Sequence, residues 1–579
     1  MTSNGRVDTH ECIKYRILTK ESPCYNEAVK ISNLRLELAP QGVFYCKNVN
    51  DVKEILAYCN PKAKKAKKKF KIRSGGHHHE GACSGNDVIV IDTSRLVLEG
   101  ELKSEGYILN DAGNIAINIH EENLIVTSGA KLKEVYKFLK SHNYILPGGG
   151  CDSVAIGGLA LGAGWGPYSR LHGMTCDALL EAKLVVANNL SFQEITVSNN
   201  DGEKKKLFEA LKGSGGGNFG VITQLKFKIY PLSTSTQLGH ITAIDVKFED
   251  LKTAKKFTIK WMENAHKSCE SITSFARVIP SYTNNEGKKV NSSFYVMGFI
   301  TEKIGLDSGY SKSVLEDAKN RALISAKKKF ASLFGEMGKN INKFSVNHEF
   351  YCCDSIPNFK LDMGLNGDEF SQSLEDMSSQ FLTSLPVSLV TNSNTIDAPK
   401  STCDVPHPHK VSSFFPKGEE VTRALVDSIY KYMEQDFDYL DSQVSCYLSL
   451  HGMGGAIKRG NNSFFYKEKP FILQIQSWWT AVNNPNAEKY LIWVEGLRKK
   501  LSSHTEGSFV NFPDYNCVLD KNHKIYNPDN LKQRKLLFES FFGKENKNSL
   551  LSKLKKQKRK YDSHNIFNHS MSIINTNKS

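Results

Sequence analysis

The sequence predicts an α+β protein whose sheets are antiparallel and backed by helices. Three observations predict it: strand-like apolar runs recur along the chain, amphipathic helical segments separate them, and glycine gathers in clusters near 75–76, 148–166 and 213–220. In "NVNDVKEILAYC", Val52, Ile55, Leu56 and Tyr58 fall at helical spacing, with Asn50 or Asp51 near the cap. "FKIRSGG" and "DVIVIDTSRL" read as strands, and "NLIVTSGAKLKEVYKFLKSHN" as strand, tight turn and helix. "ALLEAKLVVAN" and "GVITQLKFKIYPL" are further strands, with a helix in "KKKLFEALKGSGGGNFG" between them. Beyond Pro231 the strands "NSSFYVMGFI", "QVSCYLSLHGMGGAI" and "PFILQIQSWWTAV" alternate with the helices "LEDAKNRALISAKKKFASLF" and "EEVTRALVDSIYKYMEQ". That alternation suits an antiparallel sheet with helices on one side. "NPDNLKQRKLLFESFFGKENKNSLLSKLKKQKRKYD" reads as one helix with a basic end.

The 579 residues suffice for two or three domains, and 40% hydrophobic with 10% aromatic residues is a globular composition. The net charge of +15 comes from lysines that are mostly dispersed, which argues for a basic soluble surface and against nucleic acid as a partner. The densest run, Lys62 to Lys71, reads as a solvated turn or helix end before a buried strand. No apolar stretch approaches the roughly 18 residues of a membrane span. The polar N-terminus lacks a signal-peptide core, so a cytoplasmic or otherwise intracellular location is expected unless a leader precedes it. Thirteen scattered cysteines show no zinc-ligand spacing and read mostly as buried thiols.

Glycine clusters let the backbone approach a ligand closely, and their N–H groups can face phosphate oxygens. The middle cluster reads "PGGGCDSVAIGGLALGAGWGPYSRLHG". Neither a GxGxxG strand-to-helix turn nor a GxxxxGK[ST] loop is present, so another kind of nucleotide site is required.

Six motifs in order carry a resemblance. Arg73-Ser74-Gly75-Gly76-His77 followed by Glu80-Gly81 resembles the RSGGHxxEG signature of the berberine bridge enzyme-like FAD-linked oxidases, of the vanillyl-alcohol oxidase and p-cresol methylhydroxylase fold. "GGGCDSVAIGGLALGAGWG" and "GSGGGNFGVIT" resemble that family's glycine segments, while "SFFYKEKPFILQIQSWW", "FVNFPDYN" and "YDSHNIF" resemble its C-terminal patterns. The resemblance implies an FAD-binding domain over 25–235, a substrate-binding domain over 236–505, and a segment over 506–579 that returns to the FAD domain.

It also implies roles. His77 matches the histidine joined to the flavin 8α-methyl, and Cys151 the cysteine joined to flavin C6 in doubly tethered members. Arg73, Ser74, Gly75, Gly76, Ser128, Gly129, Ile156, Gly157, Gly158, Gly162, Gly164, Gly166, Gly173, Asp177, Val221, Tyr561 and Asn565 match positions that hold the rest of FAD. His78 and His79 match no role; neighbours in an extended segment point to opposite faces, so three successive histidines do not converge on a metal and none is expected.

The expected reaction moves a hydride from an alcohol, sugar or alkaloid-like small molecule to the flavin, with molecular oxygen as the partner that reoxidises it and hydrogen peroxide as product. Alternatives are a dehydrogenase using another acceptor and a non-catalytic flavin-binding protein. The family's tyrosine base is replaced by Phe512. His451 is then the candidate base, because imidazole titrates near neutrality, with Gln474 as a substrate hydrogen-bonding group and Tyr515 as a reserve base. Leu159 replaces a family histidine, and Val154 matches a position where a small side chain admits oxygen. Phe464, Phe465 and Tyr466 could supply an apolar rim, and Trp478 and Trp479 a stacking surface. Oligomeric state is left open.

Overall fold

The structure is a computed structural model, and it describes residues 17–60, 68–188, 191–234, 237–283, 288–305, 312–341, 345–352, 406–418, 423–437, 439–440, 444–479, 482–519 and 526–574. The lysine-rich run lies largely outside the described residues.

Three sheets organise the chain. A four-stranded sheet places Ile17–Thr19, Gly42–Tyr45, Ile89–Asp92 and Phe70–Arg73 side by side, and the last three are parallel. A six-stranded antiparallel sheet is ordered Ser191–Ser198, Leu179–Asn188, Val221–Lys228, Asn123–Thr127, Ile115–Asn118 and Ile108–Leu109. The third has eight strands: Ser345–Cys352, Gln237–Phe248, Ser293–Gly305, Ile272–Ile279, Val444–Gly452, Phe471–Trp479, His409–Pro416 and Thr505–Glu506. The α+β class and the antiparallel sheet backed by helices are thus as the alternating patterns predict.

The eight-stranded sheet has two unlike faces because successive residues of a strand point opposite ways. Leu448, Leu450, Phe471, Leu473, Ile475 and Trp479 pack into one apolar cluster with residues of the helices Leu251–Asn264, Arg423–Met433 and Ala487–Leu501. Their neighbours Tyr447, Ser449, His451, Gln474, Gln476 and Trp478 take the other face, where Ser449 stands opposite Gln474 and Tyr447 opposite Gln476. Trp479 therefore belongs to the core, and only Trp478 of the pair is available to a ligand.

Two local readings change. The first long helix spans Val49–Cys59, and Asn48 caps it by accepting from the Asp51 N–H. The basic tail is two helices, Leu531–Phe542 and Leu550–Tyr561. Gly543 at φ +76° ends the first, and the Ser549 side chain caps the second. Both helices pack against the core of the six-stranded sheet through Leu537, Phe538, Phe541, Phe542, Leu551 and Leu554.

Lys410 joins three distant parts of the chain. Its ammonium pairs with Glu80, just beyond the histidine run, and with Asp514 at 2.6 Å, in the C-terminal part. All three side chains are nearly inaccessible to water. The two carboxylates hold the ammonium charged despite its burial, and the Lys410 charge holds Asp514 below the usual carboxylate range. Removing one partner from such a group strands buried charge, at a cost of about 3–5 kcal/mol. Lys410→Met is expected to lose stability of that order in urea titrations, whereas Lys489→Met, on the 487–501 helix, is expected to change it by less than about 0.5 kcal/mol.

Candidate functional site

A cleft opens between the polar face of the eight-stranded sheet and the glycine clusters of the other two sheets. Its walls include Ser74–His79, Gly149–Cys151, Gly157–Leu159, Ser214–Asn218, His451, Gln474 and Phe509–Phe512. Its enclosed volume is about 280 Å³, near the lower end of the roughly 300–1,000 Å³ of a small-molecule pocket, and it opens to solvent.

The strand Phe70–Arg73 delivers the histidine run to this cleft. Arg73 itself points away: its guanidinium donates to Asp92 Oδ2 at 2.5 Å and to the Ala28 carbonyl at 2.7 Å. Among the described residues, no backbone N–H from Ser74 to His79 donates to a backbone carbonyl. The opposite wall is equally open. A Cβ built on Gly158 would meet nothing within 4 Å, and one on Gly216 only Leu161 Cδ1 at 3.6 Å. Free N–H groups and bare glycine walls suit an elongated ligand rich in acceptor oxygens. The residues present thus fit FAD, with Ser74–His77, Ser128, Gly157–Gly158 and Ser214–Asn218 placed to hold it.

Each histidine of the run has its own surroundings. His77 Nε2 lies 3.0 Å from Ser153 Oγ, and burial, aided by the Lys131 charge, pushes its pKa down to about 3. A neutral imidazole is the nucleophilic form that covalent attachment needs. His78 Nε2 sits 3.0 Å from Met571 Sδ. His79 Nδ1 lies 2.9 Å from His409 Nε2, and its ring stacks on Phe512 with centroids 5.0 Å apart and planes at 24°. Burial lowers His78 to about 4 and His79 to about 3.

On the sheet side, His451 Nε2 is 2.9 Å from Ser449 Oγ, and its ring meets Trp165 edge-on at 4.4 Å. Burial first, and the Arg277 charge second, lower it to about 3. Gln474 Oε1 accepts from Gln476 Nε2 at 2.9 Å, while Gln476 Oε1 accepts from the Tyr447 hydroxyl and the Trp478 indole. That chain leaves the Gln474 amide nitrogen to the cleft.

The cleft brings together His77, Cys151, Ser74, Gly75, Gly76, Ser128, Gly157, Gly158, His451 and Gln474 of the residues expected from sequence. Cys151 is disulfide-bonded. Gly129, Gly162, Gly164 and Gly166 stand behind the wall, where a Cβ would collide with Thr93, Asn511, Thr175 and Gly148 respectively. Asp177 is turned to the Met174 N–H and the Asn462 amide, and Gly173 packs on it. Ile156 and Val221 are core residues, and Gly157 and Ile222 beside them reach the cleft. Tyr561 and Asn565 are not wall residues; Phe567, Asn568, His569 and Met571 are. Tyr515 bonds Ser570 Oγ at 2.5 Å outside the cleft, and burial raises its pKa well above 10. Phe464, Phe465 and Tyr466 form no rim: Phe464 packs on Phe509, Tyr466 stacks on Phe415, and Phe465 is exposed. Trp165, Trp478, Phe509 and Phe512 are the cleft's apolar surfaces instead, with Val154 and Leu159 on the opposite wall. Sequence reasoning missed Trp165, Arg277 and His79, whose neighbours come from distant strands.

A family described as "FAD binding domain" matches residues 40–189. Residues 40–189 thus match an FAD-binding domain, and the chain has the fold of the berberine bridge enzyme-like proteins. The wild-type berberine bridge enzyme-like 1 protein of Physcomitrella patens superposes with a TM-score of 0.64 at 20% identity, over 98% of this chain and 99% of that one. The berberine bridge enzyme-like 28 protein of Arabidopsis thaliana superposes at 0.67 with 18% identity, over 98% and 99%. By sequence, an uncharacterised FAD-linked oxidoreductase of Bacillus subtilis, YgaK, is 35% identical over 219 residues, covering 38% of this chain and 44% of the relative. Berberine bridge enzyme-like 26 of Arabidopsis thaliana is 28% identical over 256 residues, covering 44% and 43%. The chain therefore matches less than half the length of these two curated relatives. Among the described residues, no helix is long and apolar enough to cross a membrane.

The buried histidines set a pH dependence. His78, His79, His409 and His451 all have lowered pKa values in the folded chain. Below pH 6.5 the unfolded chain takes protons that the folded one refuses, so stability present above that pH is lost as pH falls toward 4. Each such group contributes up to ~1.4 kcal/mol per pH unit in that window. Urea unfolding midpoints are expected to drop steadily from pH 6.5 to 4.5, and the His78→Phe variant is expected to show a shallower slope.

Proposed function

We propose that the protein is an FAD-dependent oxidase that converts a carbinol carbon of a small molecule to a carbonyl. The observation that carries this reading is the pairing of two unlike walls: a bare, donor-rich glycine wall bearing His77, and a facing sheet bearing Gln474, His451 and aromatic rings. When bound, FAD supplies the two-electron acceptor for a substrate hydride. The chain's own residues do the rest. Neutral His77, held by Ser153, is the tether. Gln474 donates to the substrate oxygen. Trp165, Trp478 and Phe512 enclose the carbon skeleton and exclude water.

Cys151 lies on the same wall as Gly149–Gly150 and is the proposed second tether; its sulfur is available for that only once released from its disulfide. His451 Nε2 already lies 2.9 Å from Ser449 Oγ. Its role in this reading is hydrogen bonding to substrate. The division into an FAD-binding part over 25–235, a substrate part over 236–505 and a returning tail over 506–579 belongs to the same proposal, with the tail helices packed on the six-stranded sheet in its favour.

Relatives differ in what their names record, a chitooligosaccharide oxidase among the structures and a monolignol oxidoreductase among the curated proteins. These motivate two probes. Anaerobic mixing of the flavin-loaded protein with cellobiose or with coniferyl alcohol is expected to bleach the flavin with one of them. Admission of air is expected to restore the colour within seconds and release one hydrogen peroxide per turnover. Bleaching without reoxidation in air would favour a dehydrogenase. A flavin reduced by dithionite but by neither probe would contradict the reading.

A further inference from the structure

We propose that His79 is the catalytic base of the reaction proposed above, set in its proton-accepting form by His409. The inference rests on that oxidase reading for its chemistry and on geometry for the state of the ring.

Two contacts fix the tautomers. His409 Nδ1 lies 2.9 Å from the carbonyl of His407. A carbonyl only accepts, so His409 Nδ1 carries hydrogen. Burial drives the His409 pKa well below 6.5, so the ring is neutral and its Nε2 is a bare acceptor. That acceptor faces His79 Nδ1 at 2.9 Å, which must therefore donate. Neutral His79 then has hydrogen on Nδ1 and a lone pair on Nε2. Nε2 of His79 makes no hydrogen bond among the described residues, and His79 lines the cleft. The same logic orients ring nitrogens in other histidine sites, where the partner of one nitrogen decides the state of the other.

The pair is held from outside the cleft. Asn33, fully buried, donates from Nδ2 to the His79 carbonyl at 2.7 Å and accepts at Oδ1 from the His409 N–H at 3.2 Å. The His409 ring stacks on Trp478 at 3.9 Å, and Phe512 covers the face of His79. Trp478 also ties this pair to Gln476 and through it to Gln474, the proposed anchor of the substrate oxygen.

In the step, the substrate O–H bond breaks and its proton goes to His79 Nε2. The electron pair of that bond becomes the second C–O bond as the hydride leaves the same carbon for the two-electron acceptor, FAD. His79, now an imidazolium, still donates through Nδ1 to His409. His409 and Asn33 are positioning residues; neither touches substrate.

Side-chain ¹⁵N spectra of the histidines in the flavin-loaded protein read the tautomer directly, with His79 assigned by its loss in His79→Gln. His79 is expected to carry hydrogen on Nδ1 and none on Nε2. In His409→Phe, which keeps a ring against Trp478 but removes the acceptor, His79 is expected to revert toward the Nε2–H form. Wild-type His79 protonated on Nε2 overturns the proposal whatever the substrate. In anaerobic stopped-flow mixing with cellobiose or coniferyl alcohol, His79→Gln is expected to slow flavin reduction about 100-fold or more, within the range of lost general-base catalysis, with dithionite bleaching unchanged. Added imidazole is expected to restore part of the rate in His79→Gly. Reduction of His79→Gln at the wild-type rate also overturns the proposal. If neither probe bleaches the wild-type flavin, the oxidase reading fails, and the nitrogen spectrum still decides the state of His79.

Discussion

The buried ammonium of Lys410 is the constraint on which the site depends. It sits on a strand of the eight-stranded sheet and is neutralised by Glu80 from the histidine loop and Asp514 from the C-terminal part. Charge buried this deeply is tolerated only when its partners are in place. The ion cluster therefore fixes how the loop carrying His77 and His79 meets the sheet carrying His409, Gln474 and His451. Arg498, 3.8 Å from Asp514, adds the helix behind the sheet to the same cluster. The cleft walls are positioned by charge at one end and at the other by close packing on glycines, of backbone on Gly129 and Gly166 and of the Asn511 and Thr175 side chains on Gly162 and Gly164.

Much of the fold was legible from local pattern. Alternation within "PFILQIQSWW" and "QVSCYLSLHG" predicts strands, and the structure adds which face is wet. The break in the basic tail was hidden because both halves are helical by spacing; only the left-handed backbone at Gly543, followed by a serine cap, separates them. The two tryptophans divide for the same reason that strands alternate, and a reading of composition alone treats them as a pair.

The site was legible where it is local and obscure where it is not. The run from Ser74 to His77 and the pair Gly157–Gly158 lie in the cleft as continuous motifs. Positions such as Asp177, Tyr561 and Asn565 carry the same motifs but face other partners, because a motif fixes a backbone path more firmly than a side-chain contact. The sequence alone assigns His79 no role. Its meaning comes from His409, 330 residues later, and no spacing rule joins the two. The stacking of His79 on Phe512 likewise joins residues far apart in the chain.

In the proposed function the cleft is built around a flavin joined to His77. Precipitating the purified protein with acid and separating pellet from supernatant tests it most directly. The yellow chromophore is expected to stay with the wild-type pellet, the peptide containing His77 to carry the mass of FAD, and His77→Ala to release the chromophore. A wild-type protein that gives up all its flavin to the supernatant would contradict it.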